Sequence, residues 1–439
     1  MVPMFQRPRG TRDFGPDEMA RRSALERLCD EQAARHGFKR VATPTFESLD
    51  LFTAKSGDTV VDELYAFEDK GGRPLALRPE LTAPVMRMVA NEMRSVPKPM
   101  RLAYFGSCFR YEEFKTARYR EFWQYGCEIV GASGPLAEAE VVAFAISLMR
   151  AAGVVDWTMK IGHVGILNDL LAGLSIPEDN RRDVMRLLDK GDFASLAGKG
   201  VGADAAAKLE AFASLSGGTD VIPEAKSMLE GMGVATDSLD SLGEMMCSLA
   251  GLVPEMPETA IDLTVARGLD YYTGMVFEFE VAELGGEAQV LGGGSYRLMQ
   301  LFDLDELDPC CGFGLGFDRV LIALEKQAER LGRDEVVPGQ FSGLGSLAVI
   351  PFKIDPNNVL GMVAGLRASG ERVLLELRER NLGGSMGWAD SSGVAFVLIV
   401  GPRDLEAGEA NLRRMSDGEE TPCALNTEAI AEALARLRA

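Results

Sequence analysis

Residues 109–128, FRYEEFKTARYREFWQYGCE, constrain the fold of this chain more than any other stretch. Arg110, Arg118 and Arg120 stand among the acids Glu112, Glu113, Glu121 and Glu128, with Phe122, Trp123 and Tyr125 between them. Two strands are predicted at its ends. GSCFRYE alternates and is aromatic, and YREFWQYGCEIVG is rich in residues that suit a pleated, half-buried surface. FKTA between them is the expected turn. The stretch is therefore a hairpin with guanidinium groups on both arms and an acid at its far end. A guanidinium is a planar fork that matches phosphate oxygens with two parallel hydrogen bonds. Paired with an aromatic face, it can also hold a purine. Two readings fit the segment alone: a grip for a nucleotide, or an exposed hairpin laced with solvated ion pairs.

The chain has 439 residues, enough for two or three domains. Its net charge of −20 argues against general coating of nucleic acid but leaves room for a local basic patch. No apolar run is long enough to span a bilayer, and MVPMFQRPRGTRDF lacks the apolar core of a secretory leader, so a cytoplasmic enzyme with no membrane partner is expected. The seven cysteines form no C-x-x-C pair, which points to neither a zinc site nor a disulfide framework. His36 and His163 are the only histidines. His36 precedes a helix-ending Gly37, where a solvated or capping role is expected, and His163 follows a strand and reads as structural. The chemistry therefore does not rest on histidine, and no protein metal ligand is assigned.

Residues 7–14 form a basic segment containing Pro and Gly. A helix is predicted from Pro16 to Gly37, with Asp13 as a candidate cap. FKRVATPTF (38–46) reads as a strand broken by Pro44, which places it at an edge and makes it a plausible dimer contact. Strands flank Lys70-Gly71-Gly72 in a hairpin. LRPELTAPV (77–85) follows, and if it is extended, Glu80 and Thr82 share a face. Helices are predicted over 83–95 and 135–152. Residues 165–252 change character to helices joined by acidic and Gly/Ser-rich links. Strand character resumes in AIDLTVARGLDYYTGMVFEFEVAEL (260–284) and LGGGSYRLMQLF (291–302). In CGFGLGFDRVLIALE (311–325), Gly312, Gly314 and Gly316 notch a strand that leads into a helix carrying Arg319. Small residues on one face let something approach the backbone closely. A Rossmann fingerprint is excluded by the lack of a βαβ continuation, and no P-loop is present. Beyond a Pro/Gly-containing stretch at 331–345, strands and helices alternate, which implies a parallel or mixed sheet.

Three arginine-bearing segments stand out, at Arg110, Arg267 and Arg319, joined by Glu80, Thr82, Gln124, Glu128, Tyr271 and Tyr272. Arginines with few catalytic bases suit chemistry at a phosphate, where positioning and charge stabilisation dominate.

The chain resembles the histidyl-tRNA synthetases, class II aminoacyl-tRNA synthetases, over nearly its whole length. VATPTFE (41–47) is similar to the dimer-forming motif 1, FRYE through REF (109–122) to motif 2, and GFGLGFDR (312–319) to motif 3. ARGLDYYTGMVFE (266–278) resembles the signature that separates this synthetase from its class II relatives. VLIVGPRDLEAG (397–408) resembles part of the anticodon-binding domain. The motif 2 loop reads FKTAR where many bacterial members carry Pro-Gln and Gly, and the glycine stretch reads GGGSYR instead of GGGRYD. Both departures resemble the archaeal-type branch.

The resemblance implies an α+β fold. A class II antiparallel-sheet catalytic domain (1–164 and 253–330) would carry a helical insertion (165–252). A linker (331–345) and a C-terminal α/β anticodon-binding domain (346–439) would follow. It implies that Arg110 and Arg267 act on the α-phosphate, that Arg118 joins them on ATP, and that Phe122 and Arg319 sandwich the adenine. Glu80, Thr82 and Gln124 would take the ammonium of L-histidine. Glu128 and Tyr272, with Tyr271 nearby, would read its imidazole, whose two nitrogens each need a partner when buried. Core packing is the other reading for either tyrosine. ATP with Mg²⁺, L-histidine and tRNA(His) are the implied substrates, ion and partner, and a homodimer through motif 1 is expected. The alternative is a catalytically inactive, histidine-binding regulatory paralogue of the kind that serves ATP phosphoribosyltransferase. Such paralogues usually lack the anticodon-binding domain and the catalytic arginines.

Overall fold

The computed structural model describes residues 5–56, 58–111, 119–189, 191–265, 272–340 and 347–438. Helix α1 (Pro16–Arg35) starts with Pro16 at its first turn beside Asp17 and Glu18, and Gly37 at φ +75° ends the turn after it. Its N-cap is Gly15 rather than Asp13. The strand expected over 38–46 is split into β1 (Lys39–Arg40) and β2 (Phe46–Ser48). Pro44 has no N–H to offer a ladder, and the buried Arg78 takes the loop's carbonyls instead. Its Nη1 donates to the carbonyls of Thr43 at 2.8 Å and Pro44 at 3.2 Å, and its Nε to that of Ser107 at 2.8 Å. Helix α2 (Leu49–Ser56) leads to β3 (Ala66–Glu68) and β4 (Pro74–Leu77), and β4 pairs antiparallel with both β2 and β3. Then come α3 (Thr82–Glu92) and the long hairpin arms β5 (Met100–Phe109) and β6 (Glu121–Val130), in unbroken register from Met100↔Val130 to Phe109↔Glu121.

Helix α4 (Pro135–Ala152) opens after Gly134 and closes on Gly153 in the left-handed conformation. Strand β7 (Trp157–His163) follows. The helical stretch contains α5 (Val164–Gly173), α6 (Glu178–Asp189), α7 (Ala203–Ala213), α8 (Val221–Gly231) and α9 (Asp237–Leu252), the last packed along α4. The chain then forms β8 (Glu258–Ile261), β9 (Tyr272–Val281), β10 (Gln289–Tyr296), β11 (Cys310–Gly316) and α10 (Phe317–Leu331).

Among the described residues, eight of these strands make one sheet in the order β1-β5-β6-β11-β10-β9-β7-β8. All its pairings are antiparallel except β1–β5 and β7–β8 at the two edges. Because side chains alternate along a strand, Phe105, Tyr125, Cys127, Ile129, Phe313 and Leu315 point to one face. There they meet α1 and α4 in the main core, with Phe144 fully buried. The even-numbered residues of β5, β6 and β11 lie on the other face, which carries the site.

The second compact unit contains β12 (Leu347–Pro351), α11 (Asn357–Ala368), β13 (Val373–Leu375), α12 (Leu382–Ser391), β14 (Phe396–Val400), α13 (Pro402–Ala407), β15 (Glu409–Arg414), β16 (Glu420–Ala424) and α14 (Thr427–Arg438). Its sheet runs β13-β12-β14-β15-β16, parallel in the first three strands and antiparallel in the rest. Strand β15, EANLRR, was not expected. Only Ala410 and Leu412 of it are buried, and its charged partners mask the alternation.

The register β6–β11–β10 places Glu128, Gly312 and Gly294 in one row, and Gly126, Gly314 and Gly292 in the next. A Cβ on Gly312 would lie 1.9 Å from Glu128 Oε2 and 2.2 Å from the Cys127 carbonyl, whereas on Gly314 the nearest atom is Gln124 Nε2 at 3.9 Å. Gly312→Ala should therefore cost about 3 kcal/mol, in the range of overpacked cores, and Gly314→Ala should fold normally. Chemical denaturation of the two variants beside the parent checks this. Equal stabilities would show that Gly312 is not required for close approach.

Candidate active site

The site face holds two adjoining cavities. The larger, about 640 Å³, is lined by Arg110, Phe122, Gln124, Glu287, Gly316 and Arg319 among others. The smaller, about 310 Å³, is lined by Glu80, Thr82, Tyr104, Gln124, Tyr272 and Glu278 among others. Arg110, Gln124, Gln289, Gly292 and Gly314 belong to both walls. The floor is low because the strands present glycines there, and Gly314 leaves it open.

In the larger cavity, Arg110 continues the hairpin ladder, its N–H donating to the Arg120 carbonyl at 3.0 Å. Its Nε donates to the Pro79 carbonyl at 3.1 Å, and its guanidinium lies 5.3 Å from the Phe122 ring centre. Arg319, at the start of α10, donates from Nη1 to the Gln289 carbonyl and from Nη2 to Glu287, both at 2.8 Å. Two hydrogen bonds in one plane orient a guanidinium far better than one.

The smaller cavity is lined with polar groups that are already organised. Glu80 caps α3, accepting from the N–H groups of Thr82 at 2.6 Å and Ala83 at 3.1 Å. A carboxylate near the exposed amides of a helix start is favoured there. Thr82 Oγ1 lies 3.2 Å from the Tyr104 hydroxyl, which donates to Glu128 Oε1 at 2.8 Å, and the Tyr296 hydroxyl donates to Glu128 Oε2. Gln124 Oε1 accepts the Cys108 thiol, and Gln289 Nε2 donates to Glu278 at 3.1 Å. Burial raises the Tyr272 phenol, as do the acids Glu128, Glu278 and Glu80 facing it.

The sequence-predicted Glu80, Thr82, Arg110, Phe122, Gln124, Tyr272 and Arg319 thus come together on these two walls. Glu128 lies just behind them, 1% exposed, reaching the smaller cavity through Tyr104 and Tyr272. Arg118, Arg267, Tyr271 and the FKTA turn lie outside the described residues. Neither histidine lines these cavities. His36 is the C-cap of α1 with Nε2 3.0 Å from Ser147 Oγ, so it is packed and not simply solvated, and His163 caps α5 by accepting the Gly165 N–H. Sequence reasoning passed over Arg78, Tyr104, Glu278, Glu287 and Gln289. For Tyr104 a signal was present: counting by twos from Arg110 through Cys108 and Gly106 reaches it on the same face. Arg78, Glu287 and Gln289 find their partners only through the folded chain.

An eight-stranded, mainly antiparallel sheet with these cavities on its face and a notched strand running into an arginine-bearing helix is the architecture of a class II aminoacyl-tRNA synthetase catalytic core. The family model described as "Histidyl-tRNA synthetase" matches residues 10–320, and that described as "Anticodon binding domain" matches residues 346–438. A relative named "Histidine--tRNA ligase" from Archaeoglobus fulgidus is 41% identical, covering 95% of this chain and 96% of its own. One of the same name from Methanoregula boonei is 40% identical over 95% of this chain and 96% of its own. The crystal structure of histidyl-tRNA synthetase from Nostoc sp. PCC 7120 superposes with a TM-score of 0.82 at 22% identity, covering 99% of both chains, a likeness of fold. The chain belongs to the histidyl-tRNA synthetase family, and these archaeal relatives agree with the branch its motif departures suggested.

Glu128 offers a measurable consequence. Burial pushes its carboxyl up from 4.5 to about 7, against the Tyr296, Tyr104 and Thr82 hydrogen bonds that lower it, while the charge of Glu80 raises it further. A carboxyl whose folded value exceeds its unfolded one favours folding while protonated. That contribution is complete below about 4.5 and is lost as pH rises to about 7. The stability of Glu128→Gln relative to the parent should therefore climb by ~3 kcal/mol across that window and stay flat above it. Denaturation series at stepped pH read this out, and a difference independent of pH would contradict the buried, proton-holding carboxyl.

Proposed function

We propose that the protein activates L-histidine with ATP and transfers the histidyl group to the 3′ end of tRNA(His). One observation carries this reading: two cavities of different character share a wall made by Arg110 and Gln124. In the first step a histidine carboxylate oxygen attacks the α-phosphorus of ATP, an O–P bond forms, the bond to the β-phosphate breaks and pyrophosphate leaves. In the second, a terminal ribose hydroxyl of the tRNA attacks the activated carbonyl, loses its proton, and AMP leaves. The work is alignment and charge stabilisation.

The larger cavity takes ATP. Phe122 and Arg319 hold the adenine between a ring and a guanidinium, and Arg110 takes the α-phosphate, with Arg267 and Arg118 as further cations there. The smaller cavity takes histidine. Glu80, Thr82 and Gln124 accept its ammonium, and Glu128 and Tyr272, with Tyr271, surround its ring. Leaving such polar groups unpaired penalises analogues lacking the ring nitrogens, which is the basis of selectivity. When bound, Mg²⁺ neutralises phosphate charge. Such an ion needs only one or two protein carboxylates besides substrate oxygens; Glu280 on the larger cavity's wall would supply one by exchanging its Lys160 ion pair, 2.8 Å long, for the metal. Residues 1–164 and 253–330 form the catalytic domain, 165–252 its insertion, 331–345 the linker and 346–439 the anticodon-binding domain. The C-terminal match to an anticodon-binding domain disfavours the regulatory-paralogue alternative.

A homodimer through the motif 1 region fits the exposed aromatic surface of the β2–β4–β3 sheet, where Phe46 is 52% and Phe67 43% exposed with ring centres 6.4 Å apart. A contiguous apolar patch of this kind favours a partner surface. Replacing both rings by Asp should shift the mass measured by light scattering from dimer to monomer, and a parent that is already monomeric would end the proposal. The activity is tested by histidine-dependent exchange of pyrophosphate into ATP followed by tRNA charging. Arg267→Ala should lower exchange at least a hundredfold, about 3 kcal/mol of transition-state stabilisation, while histidine binding by calorimetry stays within a few-fold. Parent protein that exchanges nothing would refute the enzyme reading.

A further inference from the structure

The basic N-terminal segment has no role in the reaction as derived so far, yet it is built into the back of the larger cavity. Asp318, the residue before Arg319, is 4% exposed and lines that cavity. Its Oδ1 accepts from Arg12 Nη2 at 2.6 Å and Arg22 Nη1 at 2.7 Å, and its Oδ2 accepts the backbone N–H of Trp123 at 2.8 Å. One carboxylate therefore ties the start of α10 to β6 beside Phe122. Arg22 is held in turn by aromatic faces, 4.1 Å from the Phe14 ring centre, 4.6 Å from Trp123 and 5.2 Å from Phe317. The Arg12 guanidinium lies 3.5 Å from the centre of Tyr119, itself a wall of the cavity.

A second tie runs through the backbone. The Gly10 carbonyl accepts the Arg120 N–H at 2.9 Å, and the Arg120 carbonyl accepts the Arg110 N–H at 3.0 Å. Gly10 sits at φ +84°, and a Cβ there would fall 2.6 Å from the Arg120 side chain. Side chain and backbone of the same short arm thus converge on Arg110, Phe122 and Arg319, the three groups assigned to the nucleotide.

We propose that residues 10–14 are a working part of the ATP cavity, with Arg12 a positioning residue that, through Asp318 and together with Gly10, sets the spacing between β6 and the start of α10. This rests on the assignment of the larger cavity to ATP. Arg12 is the residue to change. Two cations share Asp318, so removing Arg12 leaves Asp318 and Arg22 as a neutral pair and strands no buried charge. An orientational loss here falls on the nucleotide: of the groups these ties reach, only Arg110 also lines the histidine cavity, and its assigned partner is the α-phosphate, while Glu80, Thr82 and Tyr272 are untouched.

The test is pyrophosphate exchange with full-length protein, varying ATP and histidine separately, for Arg12→Ala, Arg12→Lys and Gly10→Ala, with histidine binding by calorimetry as the measure of intact fold. Arg12→Ala and Gly10→Ala should raise the KM for ATP at least fivefold, with the KM and Kd for histidine within twofold, and Arg12→Lys should recover part of the loss. An arm that serves stability alone would lower the fraction of active protein and leave both KM values unchanged, which would overturn the proposal. Phe122→Ala and Arg319→Ala are run alongside. If they raise the KM for ATP while the arm variants do not, this inference alone fails. If they too leave it unchanged, the ATP assignment fails and takes the inference with it.

Discussion

The site depends on the pairing of β6 with β11. That register sets Glu128 opposite Gly312 and Gly126 opposite Gly314, and only glycine leaves room at the first position for a carboxylate lying over the backbone. A shift by one residue would turn Glu128 into the apolar core and Cys127 or Ile129 to the site. The hairpin β5–β6 and strands β10 and β9 inherit this register across the sheet, so one pairing decides which face carries polar groups and where the floor is low.

Three buried polar groups of the first unit are each anchored at several points. Arg78 is shared among the carbonyls of three residues in two segments, and burial lowers its pKa. Asp318 has two arginines and a backbone amide, and the Glu128 carboxyl, which burial shifts toward its neutral form, has two tyrosines. Desolvating a charge is costly unless geometry and hydrogen bonds compensate. The compensation also fixes orientation, as a site for positioning chemistry needs. The overall charge of −20 is no obstacle, since the acids on the larger cavity's wall have their own cations: Lys160 with Glu280, Arg319 with Glu287, and Arg12 and Arg22 with Asp318.

Much of this was legible beforehand. The helix bounded by Gly134, Pro135 and Gly153, the hairpin arms and the notched strand running into Arg319 all carry local signals: caps, alternation and small residues at period two. The strand expected over 38–46 was misjudged because the loop at Pro44 is held by Arg78, more than thirty residues away in sequence. Strand β15 was missed because its exposed Glu409, Asn411 and Arg413 hide the buried Ala410 and Leu412. Glu287 and Gln289, which hold the Arg319 guanidinium, stand thirty and more residues from it and belong to no local pattern.

Residue types and their periodicity alone therefore determined most of the strands and helices, the polar face of the hairpin arms and, through ordered motifs, the family. These are local properties, governed by backbone geometry and side-chain alternation within a few residues. Tertiary structure alone decided the partners: which arginine meets which carboxylate, that the N-terminal arm closes behind Asp318, and that Glu128 is buried deeply enough to hold its proton to about pH 7. Desolvation and charge pairing depend on everything within a few ångströms in space, whatever its distance along the chain.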